Sequence, residues 1–286
     1  MAESIAAKQA LAPAPAPGSS STLASLFLKV ERDHDRAAVM ERRIAGRTDR
    51  TPDWRFLRHV LRMALYLRER CGLEANDRVA LVAPLGPEWV VLDWATVLQG
   101  ATTVVIDPEA PDAKVFATLG EVAPRVVLVE AEADGARVRD LAGGSLERIV
   151  TLDPAGTGGS IVSFAEALDL GGTLDTAERA NALRDRARAV DASQPAALHT
   201  ATGVSLTSGE IAARAGRRAG ATGRQPGGPR PQPVVVLDEG TAVTPALHVA
   251  LYGYVADGST CTAWVAREGQ RRFAGARSND EEAIHE

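Results

Sequence analysis

Short apolar runs separated by helix-length segments fix most of what this chain can fold into. Arg78–Ala83 (RVALVA) is a strand-length apolar run, Pro87–Leu98 has helical length, and Ala101–Ile106 (ATTVVI) is rich in β-branched residues. The alternation continues with a helix near Asp112–Glu121, a strand at Arg125–Glu130 (RVVLVE), a helix at Ala133–Leu141 and a strand at Arg148–Leu152. Strands without polar alternation are buried on both faces, and the helices between them supply the crossovers that parallel pairing needs. The expected fold is therefore α/β: a mostly parallel sheet with helices on both faces.

Ahead of this core, Leu57, Leu61, Ala64, Leu65 and Tyr66 recur at helical spacing from Trp54, and the pattern stops at Cys71-Gly72, where a glycine can end a helix. Beyond the core, Leu174–Val190 reads as a charged surface helix, and Pro195–His199 and Val204–Thr207 as short strands. Val234–Leu237, Ala246–Ala256 and Thr260–Val265 read as strand, helix and strand. Residues 1–21, an Ala-Pro alternation ending in Gly18-Ser19-Ser20-Ser21, are expected to be a disordered tail. Residues 22–213 form the first part of the domain, 234–266 a further strand–helix–strand of it, and 267–286 a polar tail. Between these lies 214–233 (RAGRRAGATGRQPGGPRPQP), with five arginines and no acid. It holds too little apolar surface to order itself and is expected to be a flexible linker. RNA or phosphate binding is the alternative there. No aromatic is interleaved for base stacking and the chain carries a net charge of −5, so no nucleic-acid partner is expected.

Composition narrows the chemistry. Of the 32 basic residues only Lys8, Lys29 and Lys114 are lysines, so nothing after Lys114 can act as a catalytic lysine. Cys71 and Cys261 stand far apart, which excludes a disulfide framework or CxxC site and fits a reducing cytoplasm. The most apolar stretch, Trp89–Ile106, is interrupted by Asp93, Gln99 and Gly100 and falls short of a membrane span. Gly156-Thr157-Gly158-Gly159 lacks the third glycine of a dinucleotide-binding turn and is expected to be a loop. The five histidines show no metal-ligand spacing, so no metal site is expected. His59 reads as a solvated surface residue, and His248, inside PALHVALYGY, as a packed core histidine.

From Trp54 to Pro111 the sequence resembles the amino-terminal region of the adenylate-forming (AMP-binding) acyl-CoA synthetases, closest to the long-chain fatty acid–CoA ligase type. The residues that carry the likeness are the helix ending at Gly72, Asn76-Asp77-Arg78-Val79 leading into a strand, Pro87-Glu88-Trp89 opening a helix, and Gly100-Ala101 stepping into a strand. With gaps it extends over roughly residues 22 to 265. It implies the α/β fold already read from the residues.

The same resemblance points to a loss. The family's phosphate loop reads T-S-G-T-T-G-x-P-K-G-V-x-L-T-H, and here Leu198–Ser208 reads LHTATGVSLTS. Matching Thr200 to the first Thr, and Gly203–Thr207 to G-V-x-L-T, leaves only Ala201 and Thr202 between them. The remnant is thus Thr200, Thr202, Gly203 and Thr207, without the central glycines and lysine. Hydrogen bonds to a charged group contribute about 1.5–3 kcal/mol each, so losing three or four costs roughly 5–10 kcal/mol, or about four to seven decades of affinity. Val234–Val265 resembles the family's segment beside the acyl site, which makes His248 an acyl-site remnant. The sequence stops before the family's later adenylate-binding signatures and its carboxy-terminal domain.

These readings make the chain a degenerate, truncated homologue, catalytically inactive, that binds a partner or is vestigial. No catalytic residue is assigned and no cofactor is expected; ATP with Mg and CoA enter only if the family activity survives. The alternatives are half of a split, ATP-dependent fatty acid–CoA ligase and a non-turnover module that binds an acyl or nucleotide ligand. Because a shortened fold leaves a sheet edge uncovered, a homo-oligomer or a second protein chain is the expected partner.

Overall fold

The computed structural model describes residues 21–32, 38–44, 47–141, 146–154, 159–221, 234–238, 241–257 and 261–265. In chain order the elements are α1 (Leu23–Arg32), β1 (Met40–Ile44), β2 (Arg47–Thr51), α2 (Asp53–Cys71), β3 (Arg78–Val82), α3 (Pro87–Leu98), β4 (Thr102–Val105), α4 (Asp112–Val122), β5 (Val126–Val129), α5 (Glu132–Leu141) and β6 (Arg148–Thr151). They continue with β7 (Ile161–Ser163), α6 (Phe164–Thr173), α7 (Ala177–Ala189), β8 (Pro195–His199), β9 (Val204–Thr207), α8 (Ser208–Ala221), β10 (Val234–Asp238), α9 (Pro245–Asp257) and β11 (Cys261–Val265).

Seven strands form one sheet in the order β7-β6-β5-β3-β4-β8-β9. All neighbours in it are parallel except β8 and β9, which form an antiparallel hairpin. The fold is thus the mixed α/β, mostly parallel architecture expected from the sequence. Alternate strand residues enter two separate cores, as the two-residue side-chain period of a strand requires. Val79, Leu81, Val126 and Leu128 pack with helices α2, α3 and α9, whereas Ala80, Val127 and Ile149 pack with Val115 and Leu119 of α4 and Val138 of α5.

α3 is buried all round from Trp89 to Leu98, which makes it a central helix rather than an amphipathic surface one. Pro87 sits in its first turn, where a missing N–H costs nothing. α2 ends where expected: Gly72 adopts φ +61°, and the Leu73 N–H reaches Leu67 O at 2.9 Å. α6 crosses α2 so closely that a Cβ on Gly171 would lie 2.0 Å from the Arg62 carbonyl oxygen.

Two differences from the sequence reading stand out. The strands at 234–238 and 261–265 flank a helix as expected, but they belong to a second sheet, ordered β10-β11-β1-β2. There β11 pairs in parallel with β1, placing Thr262 opposite Met40. The expected linker also begins inside a helix: α8 runs to Ala221, because Ile211, Ala212 and Ala215 give it a buried face. The remainder of the expected linker, 222–233, lies outside the described residues, as do the tails at 1–20 and 266–286 and the loop at 155–158. Among the described residues, no helix is long and apolar enough to cross a membrane.

Candidate functional site

The phosphate-loop remnant is the turn of the β8–β9 hairpin. His199 pairs with Val204, so residues 200–203 must reverse the chain in four positions. Gly203 has φ +68°, a left-handed conformation that a residue with a Cβ adopts only under strain. The turn is already internally bonded. Thr200 donates both its N–H, at 3.1 Å, and its hydroxyl, at 3.0 Å, to the carbonyl of Val105 at the end of β4. Thr202 donates its N–H to His199 O at 3.3 Å.

Thr207 is not part of this cluster. It pairs with Pro195 at the other end of the hairpin and caps α8. Its hydroxyl accepts the Glu210 N–H at 3.2 Å, and Glu210 Oε2 accepts the Thr207 N–H at 2.9 Å. This reciprocal Thr-x-x-Glu pair satisfies two helix-end donors, so Thr207 has a local structural task. Thr200, Thr202 and Gly203 are brought together; Thr207 is separated from them by the length of β9.

Directly beneath the turn lies a polar chain that sequence spacing did not reveal. His199 Nε2 is 3.1 Å from Nδ1 of His248 on α9, and His248 Nε2 is 2.8 Å from Asp93 Oδ2 on α3. All three are buried: Asp93 and His199 are 2% exposed and His248 is not exposed at all. Three aromatic rings enclose them. Trp89 meets His248 edge-on with centroids 5.1 Å apart, Tyr252 stacks on it at 5.3 Å, and Trp94 packs edge-on against Tyr252 at 4.6 Å.

The order of protons along this chain follows from its acceptors. A carboxylate only accepts, so His248 Nε2–H donates to Asp93 and the contact between the two imidazoles holds one hydrogen. Burial, and then the neighbouring His248 ring, bring the His199 imidazole down to about 3, against the smaller opposing pull of the Val243 main chain and Asp93. Burial first, and the Asp93 carboxylate second, push the Tyr252 phenol well above its ordinary range. The Tyr252 hydroxyl faces Asp93, yet neither it nor Asp93 Oδ1 makes a hydrogen bond of ordinary geometry.

His248 is therefore packed, as its apolar neighbours implied, but it is also half of a histidine pair. The pairing was hidden because its partners lie 49 and 155 residues away. One signal was present: Asp93 is the one charged residue between Trp89 and Leu98 of a helix buried on every side. A carboxylate there needs a buried donor. His59, by contrast, lies half-buried on α2, where burial and then Arg55 and Arg62 lower its affinity for a proton. Among the described residues, no group of three or more His, Cys, Asp or Glu side chains could hold a metal ion.

A protein-family model for AMP-binding enzymes matches residues 28–209, more than half of the chain and all of the seven-stranded sheet. The chain belongs to the AMP-binding enzyme family. Solved structures agree with this AMP-binding fold. Coronafacic acid ligase from Pectobacterium brasiliense superposes with a TM-score of 0.65 at 12% identity, covering 87% of this chain and 46% of that one. The A domain of carboxylic acid reductase from Segniliparus rugosus, solved in complex with AMP and a co-purified carboxylic acid, gives 0.61 at 20% identity, covering 86% and 45%. NpsA-ThdA from Klebsiella oxytoca, an artificially fused adenylation–PCP di-domain, gives 0.60 at 16% identity, covering 86% and 40%. No curated protein matches the sequence significantly. At these identities the likeness establishes the fold, and this AMP-binding chain spans about half the length of the first two.

Proposed function

We propose that this AMP-binding domain is a degenerate acyl-CoA synthetase homologue that binds a protein partner and does not adenylate an acid. One observation carries the reading: at the position of the phosphate loop stands a four-residue turn whose Thr200 N–H and hydroxyl are both committed to Val105 O. Thr207 is committed to the cap of α8. Phosphate binding depends on N–H and hydroxyl donors aimed outward at the anion. Here the Thr200 N–H and hydroxyl and the Thr202 N–H are spent within the fold, and no lysine follows Lys114 to supply the missing charge. The partner would sit at the edge of the second sheet, where among the described residues β10 pairs on one side alone and Val236 is 43% exposed. An apolar edge strand is a ready template for pairing with another chain, a second copy included. ATP–pyrophosphate exchange, measured on the purified chain across a panel of long-chain and short carboxylic acids, tests the reading. The expected result is no acid-dependent exchange; exchange by the chain alone overturns it.

A second reading has its own support. The chain covers only about half of each of the two ligase and reductase structures given above, so a second polypeptide could supply the rest of a long-chain fatty acid–CoA ligase using ATP, Mg and CoA. Exchange that appears only when a chain corresponding to the missing half is added would favour this split enzyme.

A further inference from the structure

The buried Asp93–His248–His199 chain joins three elements that are otherwise distant in sequence: α3 through Asp93, α9 through His248 and β8 through His199. Here the interior of this face is held by directional bonds between titratable groups as well as by apolar contact. The structure also limits how many protons it can hold. Asp93 Oδ2 accepts from His248 Nε2, and the 3.1 Å imidazole contact has room for one hydrogen. Adding a proton to His248 Nδ1 is tolerated if His199 turns its own proton toward the Val243 carbonyl. A second added proton is not tolerated, because it sets two N–H groups and two positive rings head to head with no water between them.

We propose that the His199–His248 pair is an acid-released latch, which fastens α9 to β8 and α3 at neutral pH and frees it when both rings are protonated. The groups facing the pair are Asp93 from α3, Tyr252 from α9 itself and the Val243 main chain ahead of α9. Of these only Asp93 carries compensating charge, and it can balance one imidazolium but not two. Burial accordingly holds the His199 ring neutral far below the range of a free histidine. α9 is buried all round, with Leu247, Val249, Leu251 and Val255 inside. Its release would uncover a large apolar surface beside the 200–203 turn, whose first residue follows His199 directly. Acid would thus open the face that neutral pH keeps shut, whether or not the domain binds the partner proposed above.

The test is an acid titration of the whole chain from about pH 8 to about pH 2, a range that spans both a free histidine and the lowered His199 ring. It follows indole fluorescence, to which Trp89 and Trp94 beside the pair contribute along with Trp54 and Trp264, together with binding of an apolar dye and far-ultraviolet circular dichroism. The expected result is a fluorescence change with dye binding that precedes loss of helical signal. Gln can still donate to His248 Nδ1 but cannot take a proton, so His199→Gln is expected to lower the midpoint by about one pH unit or more. His59→Gln removes the half-buried histidine of α2 and is expected to leave the midpoint unchanged. A wild-type midpoint in His199→Gln, a shift in His59→Gln, or no transition in the wild type would each overturn the latch. If His199→Gln does not fold, ring-nitrogen NMR of the wild type decides. Protonation of both His199 and His248 coinciding with the fluorescence change supports the latch, and a His199 ring that titrates like a free histidine with the indoles unchanged refutes it.

Discussion

The two faces of the central sheet are held in different ways. On the α4–α5 side the core is entirely apolar, with Ala80, Val104, Val115, Leu119, Val127 and Ile149 in contact. On the α3–α9 side the core is larger, and it encloses an aspartate and two histidines among tryptophans and a tyrosine. Apolar burial is non-directional and tolerates many side chains of suitable volume. A buried polar chain tolerates few, because each member leaves its neighbour unsatisfied when it is removed. One sheet therefore carries a forgiving face and an exacting one.

Substitutions on the two faces can break this contrast. The largest effect is expected for Asp93→Ala, which strands the His248 donor in a dry site and should cost about 3–5 kcal/mol by chemical denaturation. If Asp93→Ala costs no more than a surface change, the exacting face is a fiction. Leu119→Ala on the apolar face should cost about 2–4 kcal/mol, and Leu119→Met under about 1.5 kcal/mol. No comparably mild replacement should exist for Asp93. Thr207→Ala removes one half of the α8 capping pair, away from both cores, and should cost about 1 kcal/mol in the same measurement. The smallest effect belongs to Arg188→Ala, which breaks an exposed pair with Asp185 and should stay within about 0.5 kcal/mol.

Cys71 extends the comparison to reactivity. Burial pushes its thiol up to about 12, against the smaller opposing effects of the Tyr66 hydrogen bond and Arg148. The thiolate is the nucleophile, so at about pH 8 alkylation should track global unfolding. Rapid labelling of the native protein would show that the core around α2 opens locally. The sign of the linked stability follows from the raised value: the fold favours the neutral thiol, and that contribution is lost only as alkaline pH ionises the unfolded cysteine.

The strand–helix frame of the sheet was legible in the sequence because its signals are local. β3 and α3 fall where a five-residue apolar run and a Pro-Glu-Trp opening place them. The helix expected from Leu174 begins at Ala177 instead, because the Thr176 side chain accepts the Arg179 N–H and sets the start. α1 and the β1–β2 hairpin had no such signature. MERRI and RTDRT alternate too weakly to read as strands, and they become strands only through pairing with β11 and with each other. The histidine pair was illegible for the same reason: its meaning depends on two crossovers that bring α3, β8 and α9 together, and periodicity does not record contact at a distance.

The pairing of β1 with β11 carries a consequence for how the chain is made. A ribosome delivers Met40 long before Thr262, its eventual neighbour. During that interval the β1–β2 hairpin has an open side, while the parallel sheet from β3 to β9 can already collapse behind it. The side chains of that hairpin suit such a wait. Arg47 and Arg50 are exposed and Arg43 partly so, and charge on an unpaired strand discourages the wrong chain from docking there. The arginines of this segment thus put charge on the strand pair that waits longest for the neighbour completing its sheet.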